Sequence, residues 1–427
     1  MAPNESRPGG CRKAILYSRR APGQLTVLLI VLVLACLAAG LGAVLDVQRR
    51  QDVLVGVIDR GGPLTGAAVE IYQSLSDANA TAASAFLVSG VEPANLRQRY
   101  ESNINEASAA LSTAASGSPT GESAATVTQL AVYLPYYTGL VERAKAYNRQ
   151  GQPQGAAYLR QASHLVQSTM LPSAQRLFHA ETTRLAQAQE DAGVVGWVFL
   201  GVGLLVLGGL VAVQIYLART TRRVLNAGML AATVAAVAAI SWYGIATTSA
   251  ADHSVASRQS GSAAVEAFAH ARIKALEARS DEALTLVARG NGRSYEDHFV
   301  GVRNELNNGI LARASAAAGP ETAGHIKSAI DAWYGWVDSH KELRSQDDTG
   351  SYDDAIRLAT SGDPGVLSSK VDTELGAAIA RAADAFRREA VEARDAVGGA
   401  DVGIGVLMVL AALGVWFGLT LRIREYR

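Results

Sequence analysis

Cysteine is almost missing from this chain of 427 residues: there are two, Cys11 and Cys36, and neither falls in the long polar segments. No disulfide can staple those segments, so they fold by packing alone, which stretches of roughly 150 residues can do. Catalytic apparatus is equally sparse. The seven histidines show no i, i+4 pair and no HExxH spacing, and no glycine-rich phosphate loop appears. The usual signatures of zinc hydrolases and nucleotide-binding enzymes are thereby excluded. Glu296-Asp297-His298 comes nearest to a metal set. Neighbours in sequence diverge around a helix, so it reads as a solvated face. No metal, cofactor or enzymatic activity is expected.

What the chain does have is apolar length. Its apolar fraction is 49% and its mean hydropathy is positive. Four runs, 24–45, 193–218, 224–247 and 402–421, reach the ~20 residues a helix needs to cross a bilayer. The middle two are separated only by Arg219-Thr220-Thr221-Arg222-Arg223. So short a link cannot bridge two membrane faces, so the pair is an antiparallel hairpin, and its three arginines place the turn in the cytoplasm. The runs hold no acid or base; Gln214, Thr220, Thr233 and Ser241 are the notable polar groups in or near them. Transporters usually place ionisable groups at membrane depth, and their absence weighs against that class.

Net charge is zero but unevenly spread. Residues 1–23, 219–223 and 422–427 carry eleven basic and two acidic side chains, a balance of +9. Segment 46–192 stands at −2 and segment 248–401 at −7. All the excess positive charge flanks the membrane on one face, the positive-inside pattern. This predicts an all-α integral membrane protein with four transmembrane helices and two tandem extracytoplasmic four-helix bundles. Its parts are a cytoplasmic basic tail (1–23), a first span (24–45), bundle one (46–192), a second span (193–218), a cytoplasmic hinge (219–223), a third span (224–247), bundle two (248–401), a fourth span (402–421) and a cytoplasmic tail (422–427). Both termini are then cytoplasmic. Cys36 ends a loose lipoprotein box, Val33-Leu34-Ala35-Cys36, but the apolar run continues past it where a processed lipoprotein would turn polar, which favours an uncleaved signal anchor.

Both large segments read as helix throughout, since alanine is abundant and β-branched alternation scarce. In the first, helices are expected to about Ser89 (broken near Gly61-Gly62-Pro63), to about Ala115, over about 122–148, and from Gln154 back into the membrane; Pro135 and Pro172 should kink the last two. In the second, helices should end at Gly290-Asn291-Gly292, at Gly319-Pro320 and at about Leu343, followed by a polar turn over 344–350. The segments also echo each other. Gly139-Leu140-Val141-Glu142 answers Gly335-Trp336-Val337-Asp338, Leu159-Arg160-Gln161-Ala162-Ser163 answers Ile356-Arg357-Leu358-Ala359-Thr360, and Phe86-Leu87-Val88-Ser89-Gly90 answers Leu286-Val287-Ala288-Arg289-Gly290, at offsets of 196, 197 and 200. Offsets this close indicate a duplicated unit.

Up-down-up-down topology puts the turns 148–154 and 344–352 far from the membrane. Asn148, Arg149 and Gln150, leading to Tyr158 and Arg160, offer cations, amides and a phenol there, suited to gripping a partner or an anion; an ordinary polar turn fits equally. The second tip is acidic around Tyr352 and Asp353, and it lacks the alternating ligands and closing glutamate of a calcium loop. The aromatic set Tyr133, Tyr136, Tyr137, Trp333, Tyr334 and Trp336 lies mid-helix, where core is the ordinary role. Lysine supplies six of 39 basic residues, and that bias with heavy alanine points to a GC-rich bacterial genome, where the sequon Asn79-Ala80-Thr81 carries no meaning.

The stretch Tyr137-Thr138-Gly139-Leu140-Val141-Glu142-Arg143-Ala144, followed by Asn148-Arg149-Gln150-Gly151 and Ala157-Tyr158-Leu159-Arg160-Gln161-Ala162-Ser163, resembles the actinobacterial membrane proteins of the GlnX type. The resemblance extends to the layout of spans and segments. It implies a sensor relay that works with an extracytoplasmic lipid-anchored amino-acid-binding protein and a cytoplasmic serine/threonine kinase of the protein kinase G type. No nucleic acid is expected as a partner; a homodimer is one possible assembly. On this reading Asn148, Arg149, Gln150, Tyr158, Arg160, Tyr352 and Asp353 form the docking tips, and Arg219, Arg222 and Arg223 the cytoplasmic relay. Rival readings are direct binding of a small ligand, with Arg97, Arg99 and Arg160 clamping a carboxylate, and an accessory subunit of a transporter or envelope complex.

Overall fold

A computed structural model describes residues 21–88, 92–117, 121–193, 196–221 and 226–425. Every element among them is helical: α1 (Ala21–Gly56), α2 (Gly62–Leu87), α3 (Ala94–Gly117), α4 (Glu122–Arg149), α5 (Gln154–Leu165), α6 (Leu171–Gly193), α7 (Trp197–Thr221), α8 (Ala227–Ala256), α9 (Ala263–Val287), α10 (Arg293–Glu305), α11 (Leu311–Ala317), α12 (Ala323–Asp348), α13 (Tyr352–Ser361), α14 (Asp363–Ala396) and α15 (Ala400–Glu425). Four short π-helical segments join neighbours: Val57–Gly61, Val166–Met170, Ser257–Ser262 and Leu306–Ile310. Arg222 and Arg223, and the start of the turn after α2, lie outside the described residues.

Several boundaries have legible causes. Val166–Met170 ends just before Pro172. Proline lacks an N–H and crowds the carbonyl four residues back, and the wider π turn accommodates both. Pro135, by contrast, sits inside α4, which runs on to Arg149 as one element. Helix α12 continues through the stretch expected to turn, because Arg344 pairs forward with Asp347 and Asp348 and Gln346 donates to Glu342. Such i, i+3 and i, i+4 pairs favour helix. It stops at Gly350, whose φ of 86° belongs to the left-handed region that glycine enters freely.

The described residues divide into two compact units. The first draws on Met1–Leu54, Asp191–His253 and Glu392–Arg427. It holds the apolar parts of the four helices long and apolar enough to cross a membrane, which define a multi-pass membrane protein. Its outer faces leave large side chains uncovered, Leu205 at 77% exposure and Ile30, Val31, Leu34, Val234, Trp416 and Phe417 beside it in kind. A water-soluble protein rarely tolerates such a surface, whereas lipid solvates it. Inside, small residues set the packing: Cys36, Ala232, Ala236, Ala239 and Ala411 are buried. At Gly228 a Cβ would stand 2.7 Å from the Gly414 carbonyl oxygen, so α8 and α15 touch backbone to backbone. Polar groups here are answered: Gln214 Nε2 donates to Thr233 Oγ1 (2.6 Å), Asn226 Nδ2 to the Gly418 carbonyl (2.9 Å), and Tyr243 O–H to Asp46, which also pairs with Arg50.

The larger unit, Val55–Glu190 with Ser254–Val391, contains both polar segments. The sequence treats them as two bundles; the structure groups their helices in one compact unit. Helices α2 to α6 and α9 to α14 keep the expected order in each half. A core of Ile71, Leu75, Leu130, Tyr137, Leu159 and Leu177 extends without a break to Ile273, Leu284 and Leu286 of the second half. The second half has its own core around Phe299, Trp333, Trp336 and Leu375, where Trp333 and Trp336 meet edge to face. Tyr136 and Tyr334 are exposed instead. Helices α2 and α9 run side by side and are the buried pair of the unit. From Ala67 to Ala83 almost every α2 side chain is covered, including Gln73, Ser76, Asp77 and Asn79. A helix covered all round shows no amphipathic stripe.

Candidate functional site

The two predicted tips are built alike. At the end of α4, Asn148 donates through Nδ2 to the Phe86 carbonyl at the end of α2 (3.2 Å). At the start of α13, Tyr352 donates its hydroxyl to the Leu286 carbonyl at the end of α9 (2.9 Å). The last carbonyls of a helix have no partner in the helix, and each tip supplies one. Phe86 and Leu286 are the residues that the sequence comparison of the two segments aligns at offset 200. Asn148 and Tyr352 therefore hold turns in place. Arg289 caps the Tyr352 ring face at 4.7 Å.

The other tip residues face outward. Arg149, Gln150, Arg160 and Asp353 are exposed. Gln150 accepts from Gln152, and Tyr158 stacks on Tyr147 with ring centres 5.4 Å apart and nearly parallel planes. Arg160 lies near enough to Tyr295 on α10 to oppose the rise that burial gives that phenol's pKa, so the first half reaches the second there. Arg219 sits in the last turn of α7. Of the three arginines of the rival clamp, Arg99 points into the unit while Arg97 and Arg160 are exposed, so the clamp as drawn does not assemble.

Beneath the tips lies a charged junction that sequence reasoning did not find. Asp77 of α2 is 5% exposed. It accepts from Arg99 Nε (2.9 Å) and Nη2 (2.8 Å) and from Asn103 Nδ2 (2.8 Å), with Arg279 Nη1 of α9 at 3.4 Å. Arg99 also reaches Asp372 of α14 at 2.5 Å. Asp372 pairs with Arg272 (2.7 Å), which in turn donates to Gln73 (2.7 Å). Asn79 donates to Ser280 across the same seam (2.7 Å). Four helices from both halves thus meet on three guanidiniums and two carboxylates. Burial alone would raise the Asp77 carboxyl, but the charges of Arg99 and Arg279 and the bonds from Arg99 and Asn103 hold it below its ordinary value. The available signal was Gln73, Asp77 and Thr81 at i, i+4 spacing on an otherwise apolar helix.

A second buried polar group adjoins it. Glu282 accepts from Trp336 Nε1 (3.0 Å) and pairs with His340 Nδ1 (2.7 Å). His340 Nε2 faces Glu296, which also meets Arg344. Burial opposes the charge on His340, but hydrogen bonds to Glu282 and Glu296 outweigh it and push its pKa up to about 9. His298 instead bonds Asp281 at 2.6 Å. Glu296 and His298 therefore go to different partners, as their places around a helix require.

Together these features define a helical multi-pass membrane protein whose larger unit is tied internally by buried charge. Residues 54–190 match the family model of the actinobacterial sensor domain, over nearly the same residues as the first half of that unit. The match supports an actinobacterial sensor protein and a sensing role. No curated protein and no solved structure matches the chain.

Proposed function

We propose that this chain is a transmembrane relay whose larger unit stands outside the cell membrane and docks an amino-acid-binding lipoprotein. Inside, the short basic pieces, with Arg219, Arg222 and Arg223 foremost, pass the signal to a cytoplasmic serine/threonine kinase. The observation that carries this reading is the first tip. Arg149, Gln150 and Arg160 are exposed beside a stacked tyrosine pair, on a turn anchored by Asn148. Arginine and tyrosine on a fixed backbone are the side chains that protein interfaces use most as anchors. Exposed Asp353 gives the second tip the opposite charge. Signalling follows if the partner binds two packings of the unit with different affinity.

The test is a photo-crosslinking residue placed at Arg149 or Arg160 in intact cells, with exposed Lys341 as control position. The expected product is a lipid-anchored amino-acid-binding protein, captured from 149 and 160, not from 341, and lost on charge reversal of the other arginine of the tip, Arg160→Glu or Arg149→Glu. Capture of no such lipoprotein from either position refutes the docking surface.

A further inference from the structure

The longest stretch of the larger unit without a charged side chain is 123–141, nineteen residues in the middle of α4. Its inner face, with Val127, Leu130, Leu134 and Tyr137, belongs to the core already described. The opposite face is open. Ala125, Thr128, Val132, Pro135, Tyr136 and Gly139 are exposed, Val132 at 65% and Tyr136 at 50%. At ~1.5 Å per residue, the face from Ala125 to Gly139 runs roughly 21 Å.

Other large apolar side chains exposed on the unit stand among charges. Tyr334 on α12 has exposed Asp331 and Asp338 one turn to either side, and Val366 on α14 has Asp363 and Lys370. Residues three and four apart share a helix face, so these charges keep the apolar groups wet. Val132 and Tyr136 lie one turn apart and have Thr128, Pro135 and Gly139 as their neighbours along the face. Gln161 of α5, which donates to the Tyr136 hydroxyl (3.4 Å), is neutral as well. The first exposed charges are Glu122 at one end and Glu142 with Arg143 at the other. An apolar patch rimmed by polar groups marks an interaction surface.

The lack of charge also says what covers it. Two copies of a membrane protein share one orientation in the bilayer, so they pair about a two-fold axis along its normal. The same patch of each copy then meets itself. A charged side chain near such an axis would face its own kind, which is unfavourable. On α12, exposed Lys327, Asp331, Asp338 and Lys341 would do so; the middle of α4 has nothing that could. We infer that the α4 face centred on Val132 and Tyr136 is where the larger unit pairs with a second copy of this chain. The small Ala125 and Gly139 let the two helices approach, and Val132 and Tyr136 fill the contact. One helix face falls short of the ~800 Å² per partner that stable soluble complexes bury. Confinement of both copies to one membrane, already aligned, offsets part of the entropy lost on association. The pairing does not rest on what docks at the tips.

The test co-expresses two full-length copies with different affinity tags, extracts them in native lipid discs, and measures recovery of one copy on the other's tag. Parent copies should be recovered together. Val132→Asp in both copies, or Val132→Lys in both, should lower recovery at least about tenfold, because like charges then face each other across the axis. A Val132→Asp copy should pair with a Val132→Lys copy as the parent does, a rescue that also shows both variants fold. Asp338→Lys on α12 should change nothing. In a chain carrying Cys11→Ser and Cys36→Ala, Tyr136→Cys should be joined by a short thiol-reactive linker to its own copy. Should that chain fail to fold, the tagged copies decide alone. The inference is overturned if parent copies are not recovered together, or if like-charged pairs are recovered as well as the parent. It is overturned equally if the mixed pair is not restored, or if Tyr136→Cys is linked only to a different protein.

Discussion

Replacing Asp77 by asparagine keeps the side chain's shape and removes one charge from the point where Arg99, Arg279 and Asn103 converge. What remains is a junction with three guanidiniums and a single carboxylate, Asp372. Breaking a buried ion pair from one side costs about 3–5 kcal/mol, and the amide can still accept one bond from Arg99, so the lower end applies. At ~2–3 °C per kcal/mol for a unit of this size, the Tm of Asp77→Asn should fall by roughly 6–9 °C. The assay is heat unfolding followed by tryptophan fluorescence. Trp333 and Trp336 are buried in the larger unit, whereas Trp197, Trp242 and Trp416 are exposed on the apolar helices, so the buried pair dominates the change. The decisive arm is the double variant Asp77→Asn with Arg279→Gln. If the loss comes from stranding Arg279, removing that charge restores at least about 1 kcal/mol, a coupling outside additive behaviour. A fall under about 2 °C, or a double variant equal to the sum of the singles, refutes the reasoning. The depressed pKa of Asp77 also fixes a sign. Its contribution is present above the unfolded carboxyl value of about 3.9 and is lost as pH falls through the lower folded value. Parent and Asp77→Asn should converge in acid.

His340 gives the opposite pH dependence. Its folded pKa of about 9 lies above the unfolded value, so its contribution is complete below about 6.5 and disappears as pH rises through about 9. His340→Gln should remove that alkaline loss of Tm; an unchanged alkaline limb would count against the Glu282–His340–Glu296 pairing. In the membrane unit, Gly228→Val inserts side-chain volume where a Cβ already falls 2.7 Å from the Gly414 carbonyl. It should destabilise by about 1–3 kcal/mol, as overpacking does. Urea unfolding of detergent-solubilised protein measures it, and a variant as stable as the parent would mean that α8 and α15 do not touch there.

The helix plan was legible because its causes are local. Glycine and proline punctuation set the ends of α2, α3, α4, α9 and α11 within a few residues, and apolar length alone identified four candidate spans. The exceptions are local too. Helix α12 outran its expected end because Arg344 and its aspartates suit a helix better than a turn. The tips split by role: Asn148 and Tyr352 proved to be anchors of the α2 and α9 ends, while Arg149, Gln150, Arg160 and Asp353 stayed in solvent. From sequence all six look like polar tip residues, since a side chain that satisfies a carbonyl sixty residues away leaves no local mark.

The chain's order of polar and apolar stretches was enough to establish helices and four candidate spans, because each depends on residues a few positions apart. The pairing of α2 with α9 was decided by tertiary structure alone. Asn79 meets Ser280, Asp77 meets Arg279, and Arg99 meets Asp372 across separations of about 200 residues or more. A helix buried on every side carries no stripe to point at its partner, and the junction exists only once three arginines and two aspartates from four helices have been brought out of water together.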